Sequence, residues 1–322
     1  MLLANDRCWC GSGTKHKRCH GDARALRRPP VEIGSVTPMR AVPDHIARPD
    51  YVGTGRIGTD RGFQINDADG AARMRHAGQV AAEVLTRTCA AAQPGVTTDE
   101  LDAVAHATYL ELGAYPSTLG YRDFPKSICT SVNGVLCHGI PDDRPLADGD
   151  IVNIDVTAFV GGVHGDTSAT VCVGDAPAVL HDLVESTREA TLRGIAAVRP
   201  GEPLQRVAVA IESFAHSRGY AVVREYGGHG IGATFHAAPH VSHHVDRGDT
   251  TIVVPGMTFT IEPMLITGTR RFVTAPDGWT EQMADHMPTA QFEHTVLVTD
   301  DGVEILTLTE SGTSPAGTLA DL

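Results

Sequence analysis

Apolar residues recur at helical spacing from about residue 68: Met74, Ala77, Gly78, Ala81, Val84, Leu85 and Thr88 share one face before the pattern breaks at Pro94-Gly95. A second helix follows, with Thr97 and Glu100 spaced as a capping box. Leu101, Val104, Ala105, Thr108 and Leu112 form its apolar stripe, and Gly113 supplies a stop. The arrangement repeats further along. A long helix is predicted from about Pro177 to Val198, then a break at Pro200-Gly201, then a helix carrying Leu204, Val207, Ile211 and Phe214 that stops at Gly219. Pro94 to Pro200 and Gly113 to Gly219 share one offset, 106 residues. The chain therefore reads as a duplicated unit, two helices followed by strands, with two related halves. Strand-type sequence occupies Ser127 to Leu136, Asp150 to Val160 and Ala169 to Val173 in the first half, and Ile252 to Ile266 and Thr289 to Leu306 in the second. Short turns at Gly161-Gly162 and Asp300-Asp301-Gly302 predict mostly antiparallel pairing, so the fold class is α+β or mixed α/β.

The first fifty residues do not share this regularity. Residues 1–21 form a compact cysteine and histidine cluster, and Arg27 to Asp50 holds Pro29, Pro30, Pro38, Pro43 and Pro49 with little periodicity, which predicts an extended tether. The expected organisation is a small unit at 1–21, a linker at 22–50 and one large domain at 51–322. Of the 322 residues, 42% are hydrophobic and 20% charged, which suits a soluble globular chain. The net charge of -13 argues against whole-surface binding of DNA or a membrane, and the only dense basic stretch is Lys15 to Arg28. The N-terminal residues lack a signal-peptide pattern and no run reaches membrane-span length, so a cytoplasmic protein is expected. Seven cysteines, four of them (Cys89, Cys129, Cys137, Cys172) in apolar segments, suit reduced thiols better than a disulfide framework.

Five side chains stand out against their surroundings. Asp155 interrupts Ile151 to Val156, Glu262 interrupts Phe259 to Met264, Glu293 interrupts Phe292 to Val298, and Asp166 and His229 lie in glycine-containing runs. Unpaired carboxylates do not stay ionised in buried strands, and these runs carry no nearby lysine or arginine, so cations from solution are expected between them. Oxygen ligands with one imidazole fit Mn, Fe, Co or Zn. Four carboxylates and one histidine suffice for two ions that share ligands. Such a pair acidifies bound water and polarises a carbonyl, which makes amide hydrolysis the natural reaction.

The wording of these segments resembles the type 1 methionine aminopeptidases. The resemblance rests on Ile154-Asp155-Val156-Thr157, His164-Gly165-Asp166-Thr167-Ser168, Gly228-His229-Gly230-Ile231-Gly232, Thr260-Ile261-Glu262-Pro263 and Gln291-Phe292-Glu293-His294-Thr295, in that order, from about residue 45 onward. Lys126 to Cys129 and Asn133 to Pro141 match as well. It implies the pita-bread (creatinase/aminopeptidase) fold, two pseudo-symmetric halves of helices packed on a curved antiparallel sheet. It also implies removal of initiator methionine from nascent polypeptides with a small second residue, by dimetal-hydroxide attack on the first peptide bond. Asp155 would bind one metal, Asp166 and Glu293 would bridge both, and His229 with Glu262 would bind the other, with Co, Mn, Fe or Zn as the metal. Glu293 would take a proton from the attacking water. His138 and His236 match two non-ligand histidines that hydrogen-bond the reacting amide, although each on its own reads equally well as a turn or core histidine. The methionine pocket would comprise Tyr121, Phe124, Cys129, Phe235 and Trp279. Thr118 stands where many bacterial relatives have cysteine, Phe124 where they often have tyrosine, and Gly227 where a cysteine is commoner. Asn133, Val135 and Thr289 match a loop that binds Na or K in relatives. His164, His240, His243 and His244 read as supporting or surface groups, because the ligand set is already filled. The family suggests a monomer.

At the N-terminus, Cys8, Cys10, Cys19 and His20 offer three thiols and an imidazole, a closed set of the kind structural zinc uses, in a segment too short to build a core. The spacing resembles the SEC-C zinc motif; a reduced, disordered tail is the alternative. Lys15, Lys17 and Arg18 beside it suggest an anionic partner such as ribosomal RNA. Two rival functions remain open from sequence: an Xaa-Pro aminopeptidase or prolidase-like dimetal peptidase, and a non-catalytic peptide-binding protein on the same fold.

Overall fold

A computed structural model describes residues 3–55, 57 and 62–322; Met1 and Leu2, at the start of the expected 1–21 unit, lie outside the described residues. Two helix pairs carry the repeat seen in the pattern of apolar residues. A short helix α1 (Ala23–Leu26) precedes α2 (Ala68–Ala91), which starts where the Asp67 carboxylate accepts the Gly70 N–H. Helix α3 (Thr98–Glu111) opens with the expected capping box between Thr97 and Glu100. In the second half, α4 (Ala178–Ala196) is followed by α5 (Gln205–Arg218), which ends as Gly219 takes a left-handed conformation, φ +86°.

The first-half strands are β1 (Tyr115–Pro116), β2 (Cys129–Val132), β3 (Val135–Cys137), β4 (Ile151–Val160) and β5 (Val163–Cys172). The second half supplies β6 (Ala221–Val222), β7 (Gly228–Gly230), β8 (Ala237–Val241), β9 (Thr258–Ile261), β10 (Met264–Ile266), β11 (Phe272–Thr274), β12 (Glu281–Met283), β13 (Thr289–Gln291), β14 (Glu293–Val298) and β15 (Val303–Ile305). The main sheet runs β1-β4-β5-β14-β9-β7-β8, with β2 on β4 and β15 on β14, and its ladders are antiparallel. The two halves meet at the β5·β14 seam, as a duplicated fold requires. Ile154 and Val156 of β4 point towards the helices, into a core shared with Val84, Leu85, Leu101, Leu183, Ile195, Ile211 and Phe259. Burial of each large aliphatic group there contributes about 1.5–3 kcal/mol. Side chains alternate along a strand, so Asp155 and Thr157 are turned to the other face, which the helices leave open. Among the described residues no helix is long and apolar enough to cross a membrane.

Three strand expectations need correction. Ser127 to Leu136 is not one strand: Asn133, at φ +51°, and Gly134 turn the chain, so that β2 stays in the main sheet and β3 joins β12. The run expected from Ala169 begins earlier, at Val163, because His164-Gly165-Asp166 carries polar groups that face the open side rather than the core. The run Ile252 to Ile266 divides at Glu262-Pro263, where proline has no N–H for the ladder.

Residues 27–50 are extended and bonded along their length. Gln282 donates to the Val31 carbonyl, and the Gly34 and Ser35 amides donate to Asp142 and Asp143. Arg40 forks between Asp99 and Asp102, each at 2.9 Å. Beyond it, Val42 and Ile46 are buried beside Tyr115, Leu119 and Phe159.

Candidate functional site

Sheet register brings the acidic residues together. On the β4–β5 hairpin, Asp155 lies opposite Ser168 and Thr157 opposite Asp166; Glu293 on β14 also lies opposite Ser168. Directly opposed residues share a face, and Asp166 is two positions from Ser168, so Asp155, Asp166 and Glu293 project from the same side. Strand β9 ends with Ile261 opposite His294, which leaves Glu262 at the next step beside Glu293. His229, on β7, pairs into the same sheet through Gly230 and Phe259. Its Nδ1–H donates to the Gly230 carbonyl at 3.1 Å, so Nε2 carries the lone pair. That nitrogen faces Asp166 at 3.7 Å and Glu262 at 3.6 Å.

The electrostatics of this cluster fit a metal centre. Burial, then mutual repulsion, raises the Asp166 and Glu293 carboxyls well above their ordinary range; burial raises Asp155, and burial with the Asp155 charge raises Glu262. Among the described residues no lysine or arginine pairs with any of the four. Ligand atoms of Asp166, His229 and Glu293 lie within 4.8 Å of one another. Four carboxylates without protein cations and a neutral imidazole lone pair form a donor set for hard or borderline divalent ions.

These groups form the floor of a cavity of about 540 Å³. Its walls include Tyr121, Phe124, Cys129, Phe235 and Trp279, all five of the expected pocket residues, with Thr118 nearby. Phe124 meets Trp279 edge-on at 5.1 Å. His138 and His236 both open onto the cavity. His138 has a left-handed backbone, φ +56°, and its ring is wedged between Tyr226 and Trp279, a strained placement of the kind found at functional sites. Burial lowers its pKa to about 4. His236 lies 4.2 Å from the His229 ring; the protein packed around it, then the neighbouring histidines, push its pKa well down, so both are neutral at pH 7.

Sequence reasoning passed over the residues that aim the carboxylates. Thr157 donates to Asp166 at 2.8 Å, Thr260 to Glu262 at 2.7 Å, and Gln291 to Glu262 at 3.2 Å. The available signal was period two: Thr157, Thr260 and Gln291 each stand two residues from an acidic residue on the same strand line. His243 also supports Glu262, its Nε2 accepting the Glu262 N–H at 3.1 Å. His164 is buried and stacks on Phe235, whereas His240 lines the cavity and His244 bonds Ser242. Asn133 and Thr289 are brought together by a bond from the Thr289 N–H to the Asn133 carbonyl, with Val135 on the adjacent β3, away from the cavity lining.

At the N-terminus, Cys8, Cys10, Cys19 and His20 also converge within 4.8 Å. Cys10 and Cys19 sulfurs are 3.6 Å apart, and His20 Nδ1 lies 3.1 Å from Cys8 and 3.3 Å from Cys19. Thiolates bound tetrahedrally at ~2.3 Å from zinc stand roughly 3.8 Å apart, so this set fits that ion. His20 Nε2 bonds Asp182 of α4, which orients the ring. Trp9 lies under the Arg218 guanidinium at 4.2 Å, and Leu26 enters the main core.

Comparisons with known proteins match both regions of the chain. The model of metallopeptidase family M24 matches residues 72–300, and the SEC-C motif matches residues 5–22. Methionine aminopeptidase 2 of Mycobacterium tuberculosis is 52% identical, covering 87% of this chain and 98% of that protein. Methionine aminopeptidase 1B, chloroplastic, of Arabidopsis thaliana is 45% identical over 91% of this chain and 79% of its own. The crystal structure of methionine aminopeptidase from Rickettsia prowazekii superimposes with a TM-score of 0.75 at 44% identity, over 76% of this chain and all of that one.

Proposed function

The chain belongs to metallopeptidase family M24, and on that premise we propose that it removes methionine from the N-terminus of polypeptides whose second residue is small. It is a metal-dependent methionyl aminopeptidase of the pita-bread fold. The observation that carries the reading is the convergence of Asp155, Asp166, His229, Glu262 and Glu293 at the floor of a cavity walled by aromatic rings and the Cys129 sulfur. Asp155, Asp166, His229, Glu262 and Glu293 would hold the divalent ions, Asp155 on one side of the site, His229 with Glu262 on the other, and Asp166 and Glu293 within reach of both. Two such ions, when bound, supply an acidified water and a polarised carbonyl. Thr157, Thr260 and Gln291 fix the carboxylate oxygens, which keeps the donor set ready without rearrangement. Glu293 would accept the proton of the attacking water. Neutral His138 and His236 hydrogen-bond the scissile amide and the oxygen that gains charge.

Recognition of methionine falls to Tyr121, Phe124, Cys129, Phe235 and Trp279. A thioether lying against aromatic rings gains about 0.3–1.5 kcal/mol per contact beyond its burial. Phe124 and Trp279, packed edge to face, together form one continuous apolar wall against which an unbranched chain can lie. The physiological ion is proposed to be Co, Mn, Fe or Zn at the catalytic centre, with structural zinc at Cys8, Cys10, Cys19 and His20 and a Na or K ion near Asn133, Val135 and Thr289. A monomer acting in the cytoplasm on nascent chains is the working picture. Lys15, Lys17 and Arg18 offer a basic face for ribosomal RNA. Unchanged ribosome co-sedimentation after deletion of residues 1–21 would count against that contact.

The test is methionine release from Met-Ala-Ser by enzyme stripped with a chelator and resupplied with Mn, Fe, Co or Zn, beside Leu-Ala-Ser, Met-Leu-Ser and Ala-Pro-Ser. Restored cleavage of Met-Ala-Ser, with little from the other three, is expected. Preferential cleavage of Ala-Pro-Ser would move the chain to the proline-directed peptidases, and no cleavage of any peptide would leave only a binding role.

A further inference from the structure

We propose that the segment 27–55 belongs to the methionine-recognition machinery, and that Tyr51 is the positioning residue through which it acts. The proposal rests on the methionine aminopeptidase reading above. Tyr51 is 3% exposed and does not itself line the cavity; it stands behind two residues that do. Its ring meets the edge of Tyr121 at 5.1 Å and 81°, and it shares one apolar cluster with Tyr121 and Phe235. Its hydroxyl donates to the Ser117 carbonyl at 2.5 Å. Ser117 in turn bonds His164 Nδ1 through its own hydroxyl at 2.8 Å, and His164 stacks on Phe235 at 5.1 Å and 11°. One tyrosine from the segment thus supports both aromatic walls, Tyr121 by ring contact and Phe235 by ring cluster and by the Ser117–His164 relay. Ile57, a little further along the chain, lines the cavity directly.

The position of Tyr51 is fixed from upstream. Arg40 clamps Asp99 and Asp102 of the first-half helix pair, the Ala41 carbonyl meets His106 Nε2 at 3.0 Å, and Val42 and Ile46 are buried before the chain reaches Tyr51. A segment needed only as a spacer would not require this series of buried attachments next to the pocket. The consequence for chemistry is selectivity. An apolar slot distinguishes side chains by the fixed separation of its walls, and one methylene of misfit is worth only about 10–200-fold, so slack in a wall removes a measurable share of it. Without the Tyr51 ring, Tyr121 and Phe235 gain room to retreat and the slot admits branched side chains.

The experiment compares metal-saturated full-length protein with Tyr51→Ala and Tyr51→Phe, measuring kcat and KM separately on Met-Ala-Ser and Leu-Ala-Ser. Tyr51→Ala is expected to raise KM for Met-Ala-Ser about tenfold with kcat held within about threefold, and to lower the Met-over-Leu preference about tenfold. Tyr51→Phe keeps the ring and is expected to bring the preference most of the way back. Tyr51→Leu fills much of the space without a flat face, so it gives the same direction of change should the alanine variant not fold. An unchanged preference in Tyr51→Ala or Tyr51→Leu, or an equal fall in kcat on both peptides with KM unaltered, overturns the proposal while leaving the function intact. Wild-type protein that releases no methionine at all overturns the functional reading and this proposal with it.

Discussion

A methyl group placed on Gly230 tests how closely the metal-facing histidine is tied to the sheet. Gly230 follows His229 on β7 and lies against β8, where a Cβ would stand 1.9 Å from the Ala238 carbonyl oxygen and 2.5 Å from its carbon. Real Cβ atoms almost never approach below 3.0 Å and both obstacles are backbone, so the strands must part by about 1 Å in Gly230→Ala. His229 Nε2 now sits 3.7 Å from Asp166 and 3.6 Å from Glu262. A shift of about 1 Å is half the length of a metal–nitrogen bond of ~2.0 Å, too much for rotation of one imidazole to absorb. Misplacement of that size costs on the order of a hundredfold in rate, and overpacking costs about 1–3 kcal/mol of stability. The assay is kcat/KM on Met-Ala-Ser across a series of Mn concentrations, with a denaturant melt in parallel. Gly302→Ala is the control, because a Cβ there meets nothing within 4 Å. Gly230→Ala with wild-type kcat/KM and the same half-saturating Mn would refute the reasoning.

Three further outcomes follow from the same structure. Because burial raises the four carboxyls, the metal-free folded chain keeps protons that the unfolded chain releases above pH ~4, so its stability should fall as pH rises from 5 to 8. Metal-loaded protein should not show that fall, and identical melting-temperature profiles with and without chelator would contradict it. Lys126 is fully buried and bonded to Asp99 and Thr37, so Lys126→Met should cost about 3 kcal/mol in urea unfolding; a loss under about 1 kcal/mol would show that Arg40 alone satisfies Asp99. Asp182→Asn removes the carboxylate behind His20 and should weaken zinc binding about 10–100-fold in competition with a chromophoric chelator, whereas equal affinity would show that the contact does not orient the ring.

What could be read from the sequence follows from where the physical signals lie. Helices α2 to α5, the Thr97–Glu100 box and the Gly219 stop were legible because apolar periodicity and capping chemistry act locally. Asp155, Glu262 and Glu293 were legible because a charge within an apolar strand is costly and needs a reason. The turn at Asn133-Gly134 was not, since Val132 and Val135 on either side continue the apolar run. The early start of β5 was hidden for the opposite reason: His164 and Asp166 are polar because they face the cavity side, and polarity alone reads as loop. The route of residues 27–50 depended on partners far along the chain, such as Asp142 for Gly34 and Asp102 for Arg40, which no local pattern contains. Period two marks Thr157 and Gln291 in the sequence, but which carboxylate each one aims, Asp166 or Glu262, appears only once the registers of β4 with β5 and of β10 with β13 are known.

Anomalous diffraction from crystals of the protein loaded with Mn tests the central claim most directly. The account predicts two peaks inside the cavity, one touching Asp155, the other touching His229 and Glu262, both within reach of Asp166 and Glu293. No peak among these five side chains, or carboxylates turned away from one another in the loaded crystal, would contradict it.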